Sequence, residues 1–281
     1  MKKIAILTDS SADISENDAK INDIHIVRMP IIIDNVEYIE HDTITYEEFV
    51  IKMRNKAICK TSQPSVGATL EIYKKLLKEY DHIIHVPISS GLSGTYETAI
   101  SLAREFDNKI TVLDCKHVTY PLARLCIQIR GLVNEDKTVE QIKDIVENKT
   151  EFWATLLPHD LSYLKRGGRI SSSAALLGNL LKIVPILKVE NGVIDVYDKV
   201  RTEHKAYKVG IQATCSVDNY SDYIWAVIHA DCFDKAQDIA KLVQEITNEQ
   251  VSIEKMGSVV MSHTGPGTIG ISRIKKINNV Y

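Results

Sequence analysis

Residues 85–100, HVPISSGLSGTYETAI, join an apolar run of β-forming residues to a segment whose apolar positions recur at helical spacing. The joint between the two is serine, glycine and threonine. A strand that feeds a helix through so short a turn is the unit from which parallel, doubly wound sheets are assembled. The joint has a chemical reading as well. Backbone amides at a helix N-terminus, with the hydroxyls of Ser89, Ser90, Ser93 and Thr95 beside them, make a seat for an anionic oxygen. Residues 88–95 hold no lysine, acid or histidine. The joint can grip a negative group without a means of its own of reacting with it.

The same pattern extends to both sides. KIAIL (3–7), IHIVRMPIII (24–33), HIIHVPI (82–88) and KITVLD (109–114) read as strands. The segments 65–80, 94–106, 119–133 and 138–150 space their apolar residues at three and four, as helices do. Strand and helix alternate as far as a natural break near Thr150, which predicts a first domain over 1–150 and a second over 151–281. The second half reads differently. FWATLLP (152–158) is a strand, DLSYLKRGGRI (160–170) a short helix ending at Gly167-Gly168, and AALLGNLL (174–181) another helical piece. Asn191-Gly192 between two β-rich runs is a hairpin signal. Helices over 202–217 and 232–250 flank the strand YIWAVIHA (223–230), and 252–271 closes as strand, turn and strand, which puts His263 at the end of an apolar strand. The expected architecture is α/β, with a doubly wound parallel sheet first and a mixed sheet second.

Composition limits the function. With 281 residues, 44% hydrophobic and 25% charged, the chain is globular, and a formal net charge of −3 offers no electrostatic case for nucleic acid. Aromatics at 6% supply few stacking platforms for single strands. Five scattered cysteines without a Cys-x-x-Cys pair read as thiols in a reducing cytoplasm. The N-terminus has too few apolar residues for a signal-peptide core, and the apolar segment 176–189 is interrupted by Asn179, Lys182, Pro185 and Lys188. A cytoplasmic protein without stable membrane insertion is expected.

Four stretches offer polar groups to a ligand: TDSSAD (8–13), KTSQPS (60–65), ISSGLSGTY (88–96) and SHTGPGTIG (262–270). Taken singly, each is equally well explained as a helix cap or a tight turn. Taken together, three of them lie where strands or linkers feed first-domain helices, the place where such sheets bind ligands. Catalysis has one reading. Gly91-Leu92-Ser93-Gly94-Thr95 is one residue short of a nucleophile elbow, and Ser93, His263 and Asp231 stand in workable order for a triad. A Walker-type Gly-x4-Gly-Lys-Ser/Thr loop is missing from the sequence, and His82/His85 and His229/Asp231 lack further metal ligands nearby.

TDSSAD, TSQPS, ISSGLSGTY, YLKRGGRIS, ALLGNLLKIVPIL, KVRT and HTGPGTIGI together, in this order and across almost the whole chain, resemble the DegV family of bacterial fatty-acid-binding proteins. The resemblance implies a two-domain carrier that encloses one long-chain fatty acid with its head group between the domains. It implies a partner too: a separate fatty acid kinase subunit that binds ATP and converts the presented carboxylate to acyl phosphate for phospholipid synthesis. On this resemblance Thr61 and Ser93 are the principal carboxylate-binding hydroxyls, Ser62, Gly94 and His263 lie close to the same group, and Arg169 and Arg201 are basic positions facing the kinase. No catalytic residue, metal or cofactor is implied beyond the fatty acid itself. The alternatives are a serine-dependent lipid esterase using Ser93 and His263, and a small-molecule binding module of another kind.

The energetics are compatible with a carrier. A tail of ~15 methylenes at ~0.8 kcal/mol each supplies on the order of 12 kcal/mol before ordering costs, so affinity comes from the tail. The carboxylate needs charge-assisted hydrogen bonds, about 1.5 to 3 kcal/mol each, to offset its loss of water. The head group therefore fixes orientation and depth. The leucines, isoleucines and valines of 174–189, with Gly178 among them, are expected either to line the tail's path or to form second-domain core.

Overall fold

The computed structural model describes residues 3–171 and 183–277, and they divide into two units. The first comprises 3–30, 61–150 and 276–277; the second comprises 31–60, 151–171 and 183–275. The expected division at 150/151 differs from this one in its N-terminal part, because 31–60 belong to the second unit, and at the far end, where the chain returns to the first. The exchange begins at a proline. IHIVRMPIII is two strands rather than one, Ile24–Val27 and Ile31–Ile33, in different sheets. Pro30 has no amide to continue a ladder and biases Met29 away from a uniform run.

The first unit carries β1 (Ile4–Asp9), β2 (Ile24–Val27), β6 (His82–His85) and β7 (Ile110–Val112) in the order β2-β1-β6-β7, every pair parallel. Strand alternation explains why these runs are apolar throughout. Ile4, Ile6, Ile84 and Val86 pack in one cluster with Leu122, Leu125 and Ile129 of helix Tyr120–Asn134. Ala5, Leu7 and Ile83 pack in another with Tyr73 of helix Val66–Leu76 and Leu102 of helix Thr95–Ala103. Each face of the sheet is thus covered by helices, the doubly wound arrangement expected. Ile277 closes the unit by donating its amide to Oε1 of the buried Gln128 at 2.8 Å.

The second unit carries a sheet of six strands: β8 (Phe152–Leu157), β9 (Val184–Glu190), β10 (Val193–Val200), β11 (Tyr223–His229), β12 (Val251–Lys255) and β13 (Ile269–Lys275). Their order is β10-β9-β8-β13-β11-β12; the β11–β12 pair is parallel and the others antiparallel. The sheet is mixed, as expected. Asn191 and Gly192, both at positive φ (51° and 78°), turn the β9–β10 hairpin. Helices Glu203–Thr214 and Phe233–Thr247 cover a core of Leu157, Ile186, Ile211, Trp225, Val227, Ile239 and Ile271. A smaller sheet in the order β4-β3-β5 adds β3 (Ile31–Ile33), β4 (Val36–Tyr38) and β5 (Cys59–Thr61).

One local expectation is corrected. Residues 252–271 are strand, helix and strand: helix Ser258–Thr264 stands between β12 and β13. The run SVVMSH has β-forming residues, but Gly257 starts a helical turn, Val259 and Met261 are buried, and Ser262 Oγ donates to the carbonyl of Ser258 at 2.8 Å. Among the described residues, no helix is long and apolar enough to cross a membrane.

Candidate functional site

In the first unit, β1 leads to β2 on one side while β6 and β7 lie on the other, so the direction of winding reverses between β1 and β6. Open parallel sheets bind ligands at the carboxyl ends of the strands flanking such a reversal. Asp9 closes β1 there and is fully buried. Its carboxylate accepts from the amide of Ile88 at 2.8 Å, the amide of Ser11 at 3.0 Å and the hydroxyl of Ser11 at 2.5 Å. Burial still pushes its pKa above the usual carboxylate value, although all three bonds pull it down. Thr8 adds a second tie by donating to the Val86 carbonyl at 2.8 Å.

The loop after β6 is fixed link by link. Ser89 donates its amide to the His117 carbonyl at 3.0 Å, and its hydroxyl accepts from the amide of Gly91 at 3.2 Å. Ser90 donates both amide and hydroxyl to the Asp114 carboxylate, at 3.2 and 2.6 Å. Ser89 and Ser90 are therefore structural. Ser93 is different: its Oγ accepts from the Thr95 amide at 3.3 Å, shares a 2.8 Å bond with Thr95 Oγ1, and stays partly open to solvent. Helices Glu16–Ile21, Val66–Leu76 and Val139–Lys149 are capped by the side chains of Ser15, Ser65 and Thr138. Helix Thr95–Ala103 starts from Gly94 with no side-chain cap. Beyond the Thr95 amide, which Ser93 Oγ accepts, its first-turn amides and positive dipole end face the side of Gly94.

Thr61 and Ser62 enter the same region. Ser62 donates its amide to the Pro30 carbonyl at 3.1 Å and its hydroxyl to the Gln63 carbonyl at 3.0 Å. Gln63 links this loop to the other: its Oε1 accepts from Thr98 at 3.1 Å, and a Cβ added to Gly94 would lie 3.5 Å from it. The structure thus brings the 61–65 loop alongside Ser93 and Gly94. Gln63 itself was not singled out in the sequence; an amide side chain between Ser62 and Pro64 was the available signal.

In the second unit, His263 lies in the last turn of helix Ser258–Thr264 rather than at a strand end. Two glycines shape its setting. A Cβ on Gly167 would collide with Nδ1 of His263, and one on Gly265, at φ 80°, would come within 2.5 Å of the Tyr163 ring. Arg169 donates to the Gly167 carbonyl at 2.5 Å and, with burial as the larger cause, holds the His263 pKa down at about 4. Arg169 and His263 are therefore neighbours. Arg201 is exposed in the connection between β10 and helix Glu203–Thr214.

The triad reading loses its acid, because Asp231 accepts from Arg54 Nε at 2.6 Å. Its base is weakened as well, a histidine with a pKa near 4 being mostly unable to hold a proton at neutral pH. Of the apolar segment 174–189, residues 174–182, Gly178 among them, lie outside the described residues, and Ile186, Leu187 and Val189 are buried. A cavity of about 500 Å³ between helices Glu203–Thr214 and Phe233–Thr247 is large enough for a small molecule. Lys208 and Lys235 lie on its rim with Asp238, and Lys235 is paired with Glu203 at 2.6 Å.

A sequence profile described as "Uncharacterised protein, DegV family" matches residues 3–276. A DegV domain-containing protein of Clostridium acetobutylicum is 35% identical over 279 residues, 96% of each chain. A fatty acid binding DegV family protein from Streptococcus agalactiae superposes with a TM-score of 0.88 at 30% identity, over 98% of this chain and 100% of the other. A stearic acid-binding protein from Eubacterium ventriosum gives 0.89 at 25% identity, over 98% and 99%.

Two predictions follow from this geometry. Asp9→Ala leaves three buried donors without an acceptor and is expected to lower the unfolding free energy by about 3 kcal/mol, read from urea denaturation; an unchanged midpoint would refute the clamp. The second concerns pH. Burial, as the largest cause, lowers His85 to about 3, and His117 and His263 to about 4. Between pH 6.5 and 4 the unfolded chain binds protons that the folded chain refuses, so stability falls as pH drops through that window and these groups add no slope above it. His263→Gln should flatten the slope; equal slopes would show that His263 titrates normally.

Proposed function

The chain belongs to the DegV family, and we propose that it binds one long-chain fatty acid and seats the carboxylate on Ser93, Thr61, Ser62 and the backbone at Gly94. His263 is assigned to the same carboxylate by its place in HTGPGTIG. The single observation that carries this reading is the start of helix Thr95–Ala103: an uncapped N-terminus, preceded by a hydroxyl whose protein partner is the neighbouring Thr95. It suits an anion. The solved relatives that bind fatty acids are similar over nearly their whole length, which favours a fatty acid as the molecule bearing that anion.

The finer role is a carrier's. Neutral hydroxyls hold a carboxylate without the bidentate lock an arginine imposes, so one oxygen stays available to attack a phosphoryl group. The chain leaves that transfer to a separate, ATP-binding fatty acid kinase, which makes acyl phosphate for phospholipid synthesis in the cytoplasm. Arg169 and Arg201 supply positive charge toward that partner. Ester hydrolysis is disfavoured, because Ser93 is bonded to Thr95 and Asp231 to Arg54.

Solvent extraction of the purified protein followed by mass spectrometry should yield close to one long-chain fatty acid per chain; a clean extract would count heavily against the proposal. Ser93→Ala and Thr61→Ala are each expected to weaken binding of palmitate about tenfold, one charge-assisted bond's worth, and to abolish most kinase-coupled acyl phosphate formation when combined. A double variant with undiminished phosphorylation would remove the hydroxyls from the site.

A further inference from the structure

Behind the candidate site, His85 ends β6 with a ring that is fully buried. Its Nδ1 lies 2.6 Å from the hydroxyl of Tyr73, which is equally buried. Among the described residues, its Nε2 has no hydrogen-bond partner. The ring borders a cavity of about 10 Å³, lined also by Thr69, Thr95, Thr98 and Gln63. That volume accepts one water molecule.

Hydrogen-bond accounting gives a direction to the protons of Tyr73, His85, Thr69 and Thr98 along the wall. The Tyr73 hydroxyl has His85 Nδ1 as its one partner among the described residues, so the phenol donates and Nδ1 accepts. The ring proton therefore sits on Nε2. Burial, which pushes His85 down to about 3, keeps the ring neutral at ordinary pH. Across the cavity, Thr69 Oγ1 donates to the Ser65 carbonyl at 3.0 Å and Thr98 Oγ1 to Gln63 Oε1 at 3.1 Å. Both hydroxyls have spent their protons and present lone pairs. The cavity thus offers the His85 N–H as a donor and the lone pairs of Thr69 and Thr98 as acceptors, which suits a water that accepts one bond and donates two.

We propose that this cavity is a binding site for a single water, and that Tyr73, His85 and the water form a relay that makes Ser93 a hydrogen-bond donor toward the ligand. The inference rests on the reading of Ser93 as a carboxylate ligand. The water donates to Thr95 Oγ1, so the Thr95 proton turns to Ser93 Oγ, 2.8 Å away. Ser93 Oγ then accepts from both the hydroxyl and the amide of Thr95, and its own proton is left to point outward. A donor-only Ser93 selects head groups that accept. Tyr73 and His85 act through other residues and are positioning residues for head-group specificity.

Tyr73→Phe removes the first link while keeping the ring's shape. Competition binding on the full chain, with palmitate and with hexadecanol, reads the consequence. Once Ser93 can point its proton back at Thr95, palmitate affinity is expected to fall about tenfold while hexadecanol, which can itself donate to Ser93, binds as before. A parallel loss for both ligands, or for neither, would overturn the relay. Palmitate binding absent from the wild-type chain would overturn the carboxylate reading itself, a separate result. Long-range ¹⁵N–¹H spectra of the labelled wild-type protein give an independent readout. They should show His85 as the neutral Nε2–H tautomer, and an Nδ1–H tautomer would overturn the proposal.

Discussion

A buried carboxylate at the reversal point of a parallel sheet is the constraint on which the site depends. Asp9 stands where β1 ends, out of contact with water, and its two oxygens are shared between its own turn and the loop that follows β6. A lone carboxylate in such a place would be several kcal/mol unfavourable. Here it is held by two amides and a hydroxyl, and the loop is bound to the strand in return. Thr8, Ser89 and Ser90 complete the attachment. These ties anchor the loop whose far end carries Ser93 and Gly94, and Ser93 is joined to it by its amide hydrogen bond to the Ser89 carbonyl.

The same economy of charge runs through the chemistry. The loop itself offers hydroxyls and backbone amides in place of cations, and the nearby His85 is kept neutral by burial. A site of this kind orients an anion and does little to perturb its reactivity. That suits a protein that hands its ligand to another catalyst. It suits a hydrolase poorly, since a hydrolase needs a base close to the working pH.

Much of the first unit was legible because its strands are apolar on both faces and its helices repeat at three and four: β1, β6 and β7 lie inside the runs read from KIAIL, HIIHVPI and KITVLD. The hairpin at Asn191-Gly192 was legible for a local reason, since two consecutive residues at positive φ are tolerated well by that pair. What the sequence hid was tertiary. IHIVRMPIII looks continuous, and nothing local reveals that Pro30 passes the chain into a different sheet, or that 31–60 pack with residues beyond 150. SVVMSH carries the valines that favour a strand, and burial of Val259 and Met261 in a short helix outweighs that preference. In the candidate site, the hydroxyl loops were visible as composition, whereas the division of labour between structural Ser89 and Ser90 and available Ser93 needed partners and distances.

The central claim is that a fatty acid carboxylate sits on Ser93 and the start of its helix, and carboxyl-labelled palmitate tests it most directly. With [1-¹³C]palmitate bound to the full chain, the carbon resonance should be single, displaced from that of the free acid, and insensitive to pH from 6 to 9, because donated hydrogen bonds hold the carboxylate ionised. It should move on Ser93→Ala. A resonance that titrates like free fatty acid, or one that is indifferent to the loss of the Ser93 hydroxyl, would contradict the account.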